Sequence, residues 1–109
     1  MSLKSESNKD TLLEFSITPL GVGGGVSSFV ADVTKVIRAS NLENELHSMG
    51  TIVEGTLDEC LDLVKQCVRE TLQSAPRASV AIKIDVRSGA NGGRIRSKVN
   101  TVRKMLGDT

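Results

Sequence analysis

One carboxylate, Glu54, stands inside an otherwise apolar run, His47-Ser48-Met49-Gly50-Thr51-Ile52-Val53-Glu54-Gly55. Residues on both sides of Gly50 suit strands, and glycine accepts a turn without Cβ strain, so the run predicts a hairpin turning at Gly50. An acid in such a strand has two readings. It faces solvent, or it lies on a sheet face covered by a ligand or another subunit. His47 is the single histidine, and Glu45 lies two residues away on its strand face. That pair is either a surface feature or a base with its orienting carboxylate. Gly21-Val22-Gly23-Gly24-Gly25 leads into Val26-Ser27-Ser28. It reads either as a flexible loop with Ser27 or Ser28 as N-cap, or as an anion-holding loop that lacks the Walker and GxGxxG patterns. Asp85 and Arg87 share a face of the last strand and suit structural or intersubunit contacts better than catalysis.

Cys60 and Cys67 lie seven apart in a predicted helix, about 10 Å along its axis, too far to bridge each other. No CxxC spacing occurs, and one histidine leaves no zinc site of standard ligand count. The thiols are expected to be buried and reduced, as in a cytoplasmic protein. No nucleophile–base pair is visible, so neither an enzyme nor a cofactor is expected. The formal charge of +1 argues for neither nucleic acid nor a membrane surface. With no Trp, no Tyr and only two Phe, the chain also lacks the aromatic faces on which single-stranded nucleic acid stacks. No charged-then-apolar leader and no long apolar run occur, so neither a signal peptide nor a membrane span is expected.

The elements that must position these residues follow from periodicity. At 109 residues, with 39% apolar and 25% charged residues, the chain is one globular domain with an aliphatic core. Residues 1–10 are polar and aperiodic and read as a disordered leader, leaving 11–109 as the domain. Leu13, Phe15 and Ile17 alternate with Glu14, Ser16 and Thr18, a strand that Pro19 is expected to end. Val26, Phe29, Val30, Val33, Val36 and Ile37 make the apolar stripe of a helix from Ser28 to about Ser40, stopped at Asn41. Strands over 42–48 and 51–55 flank the hairpin turn. Thr56-Leu57-Asp58-Glu59 is a capping box opening a helix to about Gln73, with Leu57, Cys60, Leu61, Val64, Val68 and Leu72 in phase. Val80, Ile82, Ile84 and Val86 alternate with Ala81, Lys83, Asp85 and Arg87 in the last strand. A final helix carries Ile95, Val99, Val102, Met105 and Leu106, with Arg94, Arg96, Lys98, Arg103 and Lys104 expected outward.

This order predicts an α+β, ferredoxin-like βαββαβ fold: a four-stranded antiparallel sheet, two helices on one face and an extra C-terminal helix. The face away from the two helices collects Glu14, Ser16, Thr18, Lys83, Asp85 and Arg87, with Ile52 and Glu54, and Glu45 and His47. Such a bare face is a platform for dimer formation or ligand capture.

Thr18-Pro19-Leu20-Gly21, Val26-Ser27-Ser28-Phe29-Val30 and the run from Leu46 to Gly55 resemble the small thiamine-binding protein family, long catalogued as a domain of unknown function. Lys83-Ile84-Asp85-Val86-Arg87 and Lys98-Val99-Asn100-Thr101-Val102 fit the same pattern, so the resemblance spans about Leu12 to Leu106. It implies a ferredoxin-like subunit, homodimers or homotetramers, and non-catalytic binding of thiamine or its hydroxymethylpyrimidine part. Where many relatives carry an aromatic residue, this chain has Asn44-Glu45-Leu46. Beside the resemblance, a carboxyl meets the acceptor and amine donor of an aminopyrimidine edge together, which nominates Glu54. Ser16, Thr18 and Thr51 are candidates for further hydrogen bonds, Met49 for a polarizable contact, and His47 for a place in the same site. The competing functions are an oligomeric structural or regulatory module and a small-molecule enzyme using Glu54 or His47 as base.

Overall fold

The alternation of Leu13, Phe15 and Ile17 with polar neighbours produces β1, Thr11–Leu20, in the computed structural model, which describes residues 8–108. The elements that follow are α1 (Ser27–Ala39), β2 (Glu43–His47), β3 (Gly50–Gly55), α2 (Leu57–Leu72), β4 (Arg77–Val86) and α3 (Arg94–Met105). The strands form one antiparallel sheet in the order β2-β3-β1-β4, the expected ferredoxin-like topology. Register places Leu13 beside Val53 and Ile84, and Phe15 beside Thr51 and Ile82, on the face that α1 and α2 cover. The core is Leu13, Phe15 and Val53 from the sheet, Ile37 from α1, and Cys60, Leu63, Val64 and Cys67 from α2. Each large apolar side chain buried there stabilises the fold by roughly 1.5–3 kcal/mol.

Several boundaries differ from the sequence reading. Pro19 does not end β1, because it pairs with Ala78 inside the ladder. β3 reaches only as far as Gly50, so beyond Phe15 the second side of β1 has no strand partner, and a missing amide there breaks no ladder. Neither Ser27 nor Ser28 caps α1: its N-cap is Val26, with no side-chain hydrogen bond. Asn41 adopts φ 63°, the left-handed turn expected just past a helix end. The capping box of α2 is present in full, Thr56 Oγ1 accepting from the Glu59 amide at 3.1 Å and Glu59 Oε1 from the Thr56 amide at 2.9 Å. The buried face of α2 is Cys60, Leu63, Val64, Cys67 and Thr71, with Leu57 and Leu72 left exposed. Residues 1–7 of the expected leader lie outside the described residues. Lys9 and Asp10 are fastened: the Lys9 carbonyl accepts from Gly92 and the Asp10 carbonyl from Arg87, each at 2.9 Å.

The hairpin turns on Ser48 and Met49, and Gly50 is already the first residue of β3, opposite His47. Glycine is required at 50 for close approach. A Cβ there would lie 2.5 Å from the Phe15 carbonyl oxygen on the neighbouring strand.

Both cysteines are free and fully buried. Burial, with Glu59 nearby, pushes the Cys60 thiol up to about 11, and burial with Glu70 nearby takes Cys67 to about 12. A folded pKa above the unfolded one favours the fold while the thiol is neutral. That contribution is complete below pH 9 and is lost as pH rises through 9 toward 11–12. Native protein at pH 8 is therefore expected to give no reaction with a disulfide reagent until denatured. Its urea midpoint should fall above pH 9, and should fall less in Cys67→Ala. Prompt labelling of the native protein would contradict this burial.

Candidate functional site

Two concavities flank the hairpin, on opposite sides of the sheet's polar and apolar chemistry. The first is a slot of about 350 Å³. β1 contributes Phe15 to Thr18, the first turns of α1 contribute Phe29, Val30 and Val33, and the hairpin contributes Ser48 to Thr51. It exists because β3 stops at Gly50, leaving the far half of β1 bare on one side for the N-terminal part of α1 to approach. Both phenylalanines of the chain line it. Phe29 is half-buried, whereas Phe15 belongs to the core.

The slot holds hydroxyls and no charge. Thr51 is 7% exposed, and among the described residues its hydroxyl has no hydrogen-bond partner. Ser16 and Thr18 border the same space as residues of β1, with their side chains on the opposite face of the sheet from Phe15 and Thr51. Thr71, at the floor, donates to the Cys67 carbonyl at 3.0 Å and keeps a lone pair to accept with. Met49, beside Thr51, stands at the mouth, 81% exposed. Of the six nominated residues, Thr51 and Met49 lie at the slot, while Ser16 and Thr18 border it with side chains on the other face of the sheet. Sequence reasoning missed Phe15 and Phe29, whose periodicity marks them only as core. The signal that could have found them is that a chain with two aromatics carries one just ahead of Ser16 and the other two residues after Ser27.

Glu54 lies elsewhere, in a concavity of about 550 Å³ shared with Glu43, Glu45, Lys9 and Arg96. It is 2% exposed, and both carboxylate oxygens accept from the backbone amide of Arg94 at 3.1 Å. This is the first residue of α3, so the carboxylate sits at the positive end of that helix. Arg94, expected to point outward, is buried at 6% exposure. Its guanidinium lies 3.8 Å from Glu54, donates to the carbonyls of Asp10 (2.7 Å) and Asp85 (3.1 Å), and reaches the Asp85 carboxylate at 3.4 Å. Lys98, one turn on, binds Asp85 at 3.1 Å. The hydrogen bond from Lys98, with the charges of Lys98, Arg94 and Arg87, lowers the Asp85 pKa. The stabilisation this gives is present above the ordinary carboxylate range and is lost as pH falls through it. These contacts anchor α3 on the polar face of the sheet.

His47 stands on that polar face, outside the slot. Its Nδ1 accepts from the Met49 amide at 3.2 Å, which places the proton on Nε2 when the ring is neutral. Nε2 is 3.3 Å from Glu14 Oε2, without hydrogen-bond geometry. The expected partner, Glu45, is replaced by a residue two strands away, reached across the bare backbone of Gly50. Among the described residues, no group of three or more His, Cys, Asp or Glu side chains is placed to hold a metal ion, and no helix is long and apolar enough to cross a membrane.

Residues 13–103 match the family model described as thiamine-binding protein. A UPF0045 protein of Mycobacterium bovis is 41% identical over 96 residues, spanning 87% of this chain and 93% of its own length. A UPF0045 protein of Eremothecium gossypii is 33% identical, over 94% of this chain and 98% of its own. Among solved structures, a hypothetical protein of Methanocaldococcus jannaschii superimposes with a TM-score of 0.74 at 31% identity, covering 93% of this chain and 99% of that one. A Thermotoga maritima protein, described as a candidate for thiamine biosynthesis or salvage, gives a TM-score of 0.74 at 25% identity, covering 85% and 98%.

Proposed function

This chain belongs to the thiamine-binding protein family, and from that premise we propose that the slot between β1, α1 and the hairpin binds the pyrimidine end of a thiamine-like molecule without turning it over. The observation that carries the reading is the lining: two phenylalanines, the buried Thr51 hydroxyl and no charged residue. Burying a charge without a partner costs far more than burying a hydrogen-bonded neutral ring. An uncharged slot therefore selects the neutral aminopyrimidine and leaves a thiazolium cation at the mouth, beside Met49. The buried Thr51 hydroxyl meets a ring nitrogen or the exocyclic amine, while Phe29, with the edge of Phe15, supplies aromatic contact. Glu54, already engaged by Arg94, serves this site only indirectly, through the placement of α3. His47 likewise acts through the turn it holds at Met49. No nucleophile and base meet in the slot, which supports binding over catalysis.

Isothermal titration with hydroxymethylpyrimidine is expected to give a saturable heat. Thr51→Val should weaken binding roughly tenfold, the loss of about one buried hydrogen bond. Glu54→Gln should leave it within about twofold of wild type, as a residue 2% exposed and turned to α3 does not touch the ring. Absence of heat with both hydroxymethylpyrimidine and thiamine would sink the reading. We extend the proposal to self-association, supported by apolar rows that the monomer leaves uncovered, and to a reducing, cytoplasmic setting, supported by two unpaired buried thiols.

A further inference from the structure

Beyond Phe15, β1 runs on without a strand partner on its β3 side, and the main chain there has a chemistry of its own. In an antiparallel sheet, successive residues of a central strand turn their N–H and C=O groups to alternate neighbours. The Phe15 carbonyl faces β3, since its oxygen is the atom that a Cβ on Gly50 would meet. The Asp10 carbonyl faces the other way and accepts from Arg87, just past the end of β4. Odd-numbered residues of β1 therefore address β3, and even-numbered ones address β4. Ile17 is the first odd-numbered residue after β3 has stopped. Among the described residues, neither its N–H nor its C=O has a hydrogen-bond partner.

The slot opens onto this bare edge. Four consecutive β1 residues, Phe15 to Thr18, border it although their side chains alternate between the two faces of the sheet. What the slot follows along that run is the edge of the strand. Backbone donors and acceptors need partners as much as polar side chains do. The N–H and C=O of one extended residue, turned to the same side, present a donor beside an acceptor. Their complement is an acceptor beside a donor, which is the N=C–NH2 edge of an aminopyrimidine. We propose that Ile17 recognises that edge through its main chain, its N–H donating to the ring nitrogen and its C=O accepting from the exocyclic amine. This rests on the slot being the pyrimidine site, and it names the groups that give the site its specificity. Thr51, beside Phe15 on β3, is left to accept the second hydrogen of the amine. A peptide strand added to the same edge is disfavoured, because Pro19, the next residue facing that way, has no N–H to offer. A single free rung suits a small ring better than a chain.

Amide hydrogen exchange followed by nuclear magnetic resonance on the full chain tests this, with hydroxymethylpyrimidine as the probe. In the free protein the Ile17 amide is expected to exchange about a hundredfold faster than those of Ser16 and Thr18, which lie in the ladder with β4. Saturation with the pyrimidine should slow Ile17 roughly tenfold and leave Ser16 and Thr18 unchanged. Ile17→Pro deletes the N–H and breaks no ladder, so it should weaken binding roughly tenfold relative to Ile17→Val. The analogue lacking the exocyclic amine should bind wild type more weakly by about the same factor. Absence of any binding by wild type would overturn the pyrimidine reading and this one together. Binding that leaves Ile17 exchange unchanged, or that Ile17→Pro retains in full, would overturn the main-chain contact and leave the slot standing. An Ile17 amide already protected in the free chain would do the same. If Ile17→Pro fails to fold, exchange at Ile17 and the affinity of the amine-free analogue decide the matter with wild type alone.

Discussion

Arg94→Met is expected to lower the stability of the chain by about 3–5 kcal/mol, the cost of removing one partner from a buried ionic cluster. The guanidinium is the only donor among the described residues that reaches the Asp10 and Asp85 carbonyls and the Glu54 and Asp85 carboxylates together. Methionine fills much of the volume and donates nothing. Glu54, 2% exposed, would keep the backbone amide of residue 94 but lose its cationic neighbour. At a few degrees per kcal/mol for a domain of this size, the melting temperature should fall by roughly 15–25 °C. Urea denaturation is the direct measurement. Arg94→Met with Glu54→Leu should recover part of the loss, since the second change removes the uncompensated charge. An unchanged urea midpoint for Arg94→Met would mean that α3 is held by something else.

Gly50→Ala should cost about 3 kcal/mol, at the upper end for an added methyl group. The new Cβ meets the carbonyl oxygen of Phe15 at 2.5 Å, and that atom is backbone in a central strand that cannot swing aside. The hairpin must instead part from β1. Since Gly50 and Phe15 both line the slot, the same shift displaces Thr51 from Phe15, and pyrimidine affinity should fall at least tenfold. Ser48→Ala, one residue outside the strand, is the control and should move stability by less than about 0.5 kcal/mol. A Gly50→Ala protein as stable as wild type would show that the two strands yield more easily than their geometry allows.

Much of this architecture is legible without coordinates, and where reading stops it does so for identifiable reasons. Alternation in β1 and β4 and the Thr56–Glu59 box fix local conformation through neighbouring residues, so they survive the passage to three dimensions. Whether Pro19 ends a strand depends on how far a different strand extends, and β3 stops short of it. The stripe Val99-Val102-Leu106 establishes that α3 is amphipathic but not which surface receives it. That depends on Arg94, whose side chain threads toward two carbonyls distant in sequence. Glu54 was rightly picked out as a carboxylate needing a partner. The partner is a helix end, which no spacing within the hairpin could reveal. Ser16, Thr18, Met49 and Thr51 are nominated as accessory contacts around Glu54, which the fold places elsewhere, whereas Phe15 and Phe29 look like core from any periodic pattern.

The ladder between β1 and β4 joins the first strand of the chain to the last. Closing so long a loop costs entropy before the contacts repay it, so this pairing comes late in folding. During synthesis the β2–β3 hairpin and α2 can form as soon as they emerge. Leu13, Phe15 and Ile17 must wait, with one edge of their strand open, until β4 has left the ribosome. A nascent chain stalled before residue 77 therefore presents an apolar strand with one open edge to whatever chaperone is near, and release of β4 is the step that turns a sticky intermediate into a finished sheet.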